Sequence, residues 1–296
     1  LVTGGGSTVG NELAESDKVD MISFTGSTAT GRSIMKAASG NIKKTALELG
    51  GKSPNIIFAD ADFETAVDYA LYGIFVNAGQ VCNAGSRLLL EDSIHDKFVD
   101  SLIRKAKNIQ VGRGDDPATD MGALVSEGHM NTVLNYIQAG IDEGAELVCG
   151  GKRITSDGLE QGYFVEPTIF INTTPDMQIV REEIFGPVLV IQKFKDEAEA
   201  IKLANDTPYG LAAGVFSQDD AKALRVIKKI RAGITSINAY NLAYAEAPWG
   251  GYKQSGLGRG LGTFGLDEFS EVKQININLD VSPTNWFERS RAVESK

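Results

Sequence analysis

Cys82 lies in the run Gly79-Gln80-Val81-Cys82-Asn83, a glycine-flanked turn expected just past an apolar helix. A thiolate is the strongest common side-chain nucleophile. The small neighbours Asn83 and Ala84 leave room for a substrate, and backbone amides in such a turn can face a ligand. The competing reading is a packing cysteine, since free cysteines are among the most buried residue types. Cys149, in Leu147-Val148-Cys149-Gly150, reads as a strand residue of that second kind. Glu48 ends a strand before Leu49-Gly50-Gly51, where α/β enzymes hold functional groups and a general base would stand. A solvated strand-end charge is the plainer alternative. Glu182 and Glu183 precede Ile184-Phe185-Gly186-Pro187 and suit either a helix-end pair or a polar anchor for a ribose. His95 and His129 read as helix-surface residues.

Two glycine turns bear on phosphate binding. Gly51-Lys52-Ser53 resembles the end of a P-loop, but Ala46 stands where that motif needs its first glycine. Gly26-Ser27-Thr28-Ala29-Thr30-Gly31 lies between an expected strand and helix, so its amides and the helix N-terminus suit a pyrophosphate.

The elements that must hold these residues alternate along the chain. Residues 7–16 read as a short helix, 19–24 as a strand, 28–38 as a helix, and 44–49 and 55–58 as strands. Asp62 caps an apolar helix running to about Asn77. A strand over 87–90 and a helix from Ser93 follow. Then come the helix 127–143, the strand 145–149, the helix 196–205, the strand 212–217, the helix 219–231 and the strand 234–238. This alternation predicts a mostly parallel α/β architecture with right-handed crossovers. Glu271 to Leu279, EVKQININL, alternates strictly and reads as a long strand needing a partner, in another subunit or at an edge of its own sheet.

The composition restricts the partners. The 296 residues are 42% hydrophobic and 23% charged, with a net charge of -10. That balance argues against nucleic acid or an anionic membrane, and no apolar run is long enough to span a bilayer. Two cysteines without a CxxC exclude a zinc ribbon and a disulfide scaffold, and fit a reducing, cytoplasmic location. Leu1-Val2-Thr3-Gly4-Gly5-Gly6 reads like the end of a strand entering a glycine turn, so the chain is expected to begin inside a domain.

The motifs FTGSTATG, LELGGKSPNIIF, FVNAGQVCNAGSRL, EEIFGPVL and PWGGYKQSGLGR occur in this order. Together they resemble the aldehyde dehydrogenase superfamily over nearly the whole chain, and the spacing of Glu48 and Cys82 matches that family's base and nucleophile. The resemblance implies a partial Rossmann-type cofactor domain (1–50 and 252–272), a parallel α/β catalytic domain (51–251) and an oligomerisation strand and tail (273–296). It implies oxidation of a small-molecule aldehyde to an acid: Cys82 forms a thiohemiacetal and then a thioester, and Glu48 activates the hydrolytic water. The Cys82 amide would serve the oxyanion hole. NAD, with NADP not excluded, would lie on Gly26, Ser27, Thr30 and Gly31, with Leu49 and Gly50 by the nicotinamide, Glu183 on its ribose and Phe185 packed nearby. Asn77 would support the active-site loop, and Asn83 would contact substrate. Trp249 resembles the betaine aldehyde dehydrogenase branch, where cation–π attraction suits a trimethylammonium group; a Trp lining a general aldehyde tunnel is the alternative. The closing QININL…NWF resembles bacterial members of that branch. Lys253 and Gly256 match positions that help bind potassium between subunits, which implies a homo-oligomer, dimer or tetramer.

Two departures from the family stand out. The family's N-terminal segment, with an oxyanion-hole asparagine, a lysine near the cofactor and the residues choosing NAD or NADP, has no counterpart here. Gly260 stands where the family's SGxGRE carries a glutamate thought to relay protons. The alternatives are therefore a cofactor-independent esterase built on Cys82 and Glu48, or an inactive structural or interaction protein.

Overall fold

The computed structural model describes residues 1–156 and 158–289. In chain order the strands are β1 (Met21–Thr25), β2 (Lys44–Glu48), β3 (Pro54–Ile57), β4 (Arg87–Glu91), β5 (Glu146–Cys149), β6 (Thr168–Ile171), β7 (Val188–Phe194), β8 (Ala212–Phe216), β9 (Ile234–Ile237) and β10 (Gly256–Leu257). The α-helices are α1 (Asn11–Glu15), α2 (Thr28–Ala38), α3 (Phe63–Phe75), α4 (His95–Ala106), α5 (Glu127–Asp142), α6 (Gln178–Arg181), α7 (Glu197–Asn205), α8 (Asp220–Ile227), α9 (Gly262–Glu268) and α10 (Trp286–Arg289).

Helix starts follow side-chain chemistry. Ser27, Asp62, Ser126, Asp196 and Asp219 each accept a hydrogen bond from a backbone amide in the first turn of α2, α3, α5, α7 and α8. Each cap satisfies an amide the helix leaves unpaired.

The strands form two sheets. The smaller has the order β1-β2-β10, with β1 parallel and β10 antiparallel to β2. The larger has the order β5-β6-β7-β4-β3-β8-β9, parallel from β6 through β9, with β5 antiparallel at one edge. Its central strands are buried on both faces, which continuous apolar runs such as Leu88-Leu89-Leu90 require. One core, including Phe98, Leu102, Val133 and Ile179, packs the face toward α3, α4, α5 and α6. A second, including Phe194, Ala200, Ala223 and Val226, packs the face toward α7 and α8. The mostly parallel α/β architecture expected from the sequence is the one observed.

Three local expectations differ. The strands β6 and β7 were not foreseen: β7 rises directly out of the Ile184–Pro187 turn as an apolar run without alternation. His95 is buried at the start of α4, where its Nδ1 lies 2.7 Å from Asp96 Oδ1, so it is no surface residue. Glu271–Leu279 joins neither sheet, so it is no edge strand of its own sheet. Ile275 is 77% and Leu279 92% exposed, so the apolar face of the alternation is left uncovered among the described residues. Residues 290–296 of the expected tail lie outside the described residues.

Candidate active site

The small sheet ends where the large sheet begins. Glu48 closes β2 and Pro54 opens β3, and between them Gly50 and Gly51 are buried. A Cβ built on Gly50 would lie 2.0 Å from Glu183 Oε2, and one on Gly51 would lie 2.5 Å from the carbonyl oxygen of Cys82. The Gly51 amide donates to Glu183 Oε1 at 3.1 Å. Two residues without side chains thus let the Cys82 turn and the Glu183 carboxylate press against the backbone that follows Glu48.

The Cys82 turn is the connection from α3 to β4. Asn77 (φ 53°), Ala78 (φ 54°) and Gly79 (φ 70°) are all left-handed. The Ala84 amide donates to the Val81 carbonyl, which closes the turn, and the Gly85 amide donates to Gly73 of α3. Asn77 Nδ2 donates to the Gln80 carbonyl at 3.0 Å. Phe185, at φ 57°, begins a second strained turn, and a Cβ on Gly79 would lie 2.1 Å from the Gly186 carbonyl oxygen. Strain of this kind persists only where the surroundings enforce it. The Cys82 and Glu183–Pro187 turns therefore enter the amino ends of the adjacent strands β4 and β7, facing the carboxyl end of β2.

Burial dominates the electrostatics. The Glu48 carboxyl is pushed up to about 7 by burial, partly offset by the Arg259 guanidinium, and its Oε2 has no hydrogen-bond partner among the described residues. Burial also raises the Cys82 thiol, and the negative charges of Glu183 and Glu48 raise it further. Burial raises Glu183 too, against the Gly51 amide and the Lys52 ammonium. Lys52 is 1% exposed, and burial together with Arg87 pushes it down to about 7. Arg87 is itself buried, donating to the carbonyls of Lys52, Leu203 and Ala204. It fastens the end of α7 to the residue after Gly51.

The other expected site residues divide. Ser27 caps α2, its hydroxyl 2.9 Å from the Thr30 hydroxyl, and both residues are exposed beside Gly26, whose amide donates to the Glu48 carbonyl. Gly31, expected at the cofactor, is instead buried: a Cβ there would meet Leu49 at 2.7 Å, so Gly31 and buried Leu49 pack α2 onto β2. Asn83, expected at substrate, is 2% exposed and donates its amide to Asn241 Oδ1 at 2.9 Å; that bond braces the turn. Glu182 faces outward and accepts from Tyr136. Trp249 is half-buried in a pocket of about 240 Å³ with Leu242, Tyr244 and Pro248. Its backbone bonds Gly260 in both directions, next to the Arg259 that acts on Glu48. A Cβ on Gly260 would meet nothing closer than 3.9 Å, so the missing glutamate is not excluded by space. Lys253 donates its ammonium to the Asn205 and Thr207 carbonyls.

The model of the aldehyde dehydrogenase family matches residues 1–275. The chain belongs to the aldehyde dehydrogenase family. It is 55% identical over 287 residues to betaine aldehyde dehydrogenase of Bacillus subtilis, covering 97% of this chain and 59% of that protein. It is 48% identical over 280 residues to mouse retinal dehydrogenase 2, covering 94% of this chain and 53% of that one. Among solved structures, betaine aldehyde dehydrogenase from Staphylococcus aureus in complex with NAD+ superposes with a TM-score of 0.95 at 50% identity, covering 97% of this chain and 57% of that chain. The chain thus spans between half and three-fifths of the length of these aldehyde dehydrogenases. No helix among the described residues is long and apolar enough to cross a membrane.

Sequence reasoning passed over Arg259, and it weighed Gly51 and Lys52 only as a failed P-loop end, although all three stand inside the quoted motifs. Gly51 gives the sharpest test of the geometry. Gly51→Ala places a methyl group against the Cys82 carbonyl, and an ångström of misplacement costs about a hundredfold in rate. Turnover of p-nitrophenyl acetate is expected to fall by about that factor, with an unchanged circular dichroism spectrum. An unaltered turnover would mean that the contact does not position Cys82.

Proposed function

We propose that the chain carries the catalytic half-reactions of an aldehyde dehydrogenase, with Cys82 as nucleophile and Glu48 as general base. The observation carrying this reading is the contact of the Cys82 carbonyl and the Glu183 carboxylate with Gly50 and Gly51, directly after Glu48. In the reaction the Cys82 thiolate adds to the aldehyde carbonyl carbon, forming the C–S bond of a thiohemiacetal. The Cys82 amide faces the oxyanion. The residues fit a nicotinamide dinucleotide: α2 presents its capped N-terminus beside exposed Gly26, Ser27 and Thr30, and Glu183 offers a half-buried carboxylate against Gly50. Bound there, NAD would supply the two-electron acceptor that makes the thiohemiacetal a thioester. Glu48 then takes a proton from water, which attacks the thioester carbon, and the C–S bond breaks to release the acid and the Cys82 thiolate. No step of this reaction is routed through potassium at Lys253 and Gly256.

A base works in its deprotonated form, so Glu48 titrating at about 7 makes deacylation rise with pH through that value and level off above it. Single-turnover hydrolysis of acetyl-Cys82 measures this directly. Glu48→Gln is expected to acylate normally, to deacylate about a hundredfold more slowly, and to lose the rise near pH 7. An unchanged rate and profile would remove Glu48 from the mechanism. The pair Cys82 and Glu48 is complete within this chain and needs no cofactor, which favours the esterase as the second reading. Ester turnover without any NAD reduction on an aldehyde would establish it.

The substrate we infer is betaine aldehyde, supported by Trp249 in its aromatic pocket and by the Bacillus subtilis and Staphylococcus aureus relatives. Trp249→Leu is expected to raise KM for betaine aldehyde about tenfold through the lost cation–π attraction, leaving KM for propanal within about twofold. Equal effects on both would make Trp249 a packing residue.

We also infer that the exposed segment from Glu271 to Leu279 pairs with a second copy of the chain, since its alternating Ile275, Ile277 and Leu279 are all exposed. Ending the chain at Ser270 is expected to lower the sedimentation mass to that of a monomer. An oligomer that survives the truncation would contradict this.

A further inference from the structure

Tyr240 follows β9 and belongs to no motif, yet it is one of the most enclosed residues in the molecule, 1% exposed. Its ring fills a niche made by three glycines. A Cβ on Gly73 of α3 would lie 3.1 Å from the ring, one on Gly85 after the nucleophile turn 3.1 Å, and one on Gly214 of β8 2.6 Å. Its hydroxyl donates to the carbonyl oxygen of Asn83 at 3.0 Å. The next residue, Asn241, accepts the Asn83 side-chain amide at 2.9 Å from a left-handed backbone, φ 58°. Asn83, the residue after Cys82, is therefore held by both its main chain and its side chain.

We propose that Tyr240 and Asn241 form a clamp on Asn83 that positions the Cys82 nucleophile, holding its thiol in the half-buried place where it faces Glu48 and Glu183. Tyr240 is a positioning residue: it acts through Asn83. Gly85, bonded through its amide to the Gly73 carbonyl, anchors the far end of the same turn, so the turn is fixed on both sides of Asn83. A buried carbonyl that loses its donor is costly, so removing the hydroxyl favours a turn that swings toward water. The charges acting on the thiol, Glu183 from the turn before β7 and Glu48 from β2, stay in place when the clamp is cut. The proposal rests on Cys82 being the nucleophile, and its test separates the two claims.

The test is the pH dependence of Cys82 alkylation by iodoacetamide on the full chain, mapped by peptide mass so that Cys149 is scored separately. In the unaltered chain Cys82 is expected to react with a midpoint above that of a free thiol. In Tyr240→Phe, which keeps the ring in its niche, the midpoint moves to lower pH, and the rate at pH 7 rises about threefold to tenfold because the thiolate fraction sets it. Asn83→Ala, which cuts the other arm without touching the buried ring, shifts the profile in the same direction by less, and it decides the matter if Tyr240→Phe does not fold. Profiles that coincide in the unaltered chain and the folded variants overturn the clamp while leaving Cys82 a nucleophile. A Cys82 that alkylates at no pH overturns the nucleophile reading and the clamp with it.

Discussion

The close approach at Gly50 and Gly51 is the constraint on which the site depends. A methyl group at either position would overlap the Glu183 carboxylate or the Cys82 carbonyl. Because neither residue has one, the end of β2 can meet two turns of the larger sheet. Those turns are strained, with left-handed Asn77, Ala78 and Phe185, and they lean on each other where Gly79 meets Gly186. The larger sheet supplies the rigidity. Its parallel strands β3, β4 and β7 are adjacent, so the turns entering their amino ends are neighbours by construction.

Bringing two carboxylates and a thiol into a half-buried space has an electrostatic consequence. The two carboxylates disfavour charge on the thiol, and burial disfavours charge on all three. Of the three, the Glu48 carboxyl is pushed up to about 7, the range in which a general base works best near neutral pH. Arg259 and Lys52 oppose this from the cationic side. Lys52 is so fully enclosed that its own ammonium is destabilised, whereas Arg87 spends its guanidinium on three carbonyls and stays charged.

Much of this was legible in the sequence where one residue type has one physical use. The capping Asp62, the helix over Thr28–Ala38 and the strand before Glu48 follow from local chemistry and appear as expected. The order of motifs singles out Cys82 and Glu48 as a pair, and the structure brings the turn of one against the backbone that follows the other. What depended on long-range packing was not. Gly31 sits in a phosphate-like turn, but its lack of a side chain serves Leu49. Asn83 sits beside Cys82, but its amide is committed to Asn241, which lies far along the chain. Tyr240 gave no signal, because nothing local distinguishes an aromatic that fills a niche between three glycines from any other core ring. The alternation of EVKQININL was read as a strand, but alternation names only a face and not the neighbour that must cover it.

The most direct measurement of the central claim is the intact mass of the chain during reaction with p-nitrophenyl acetate, with peptide mapping of the modified residue. A single acetyl group on Cys82 that builds up and then decays in the unaltered chain, and persists when Glu48 is replaced by Gln, is the result this account predicts. Acetylation spread over lysines, or an adduct on Cys82 that decays equally fast without the Glu48 carboxylate, would contradict it.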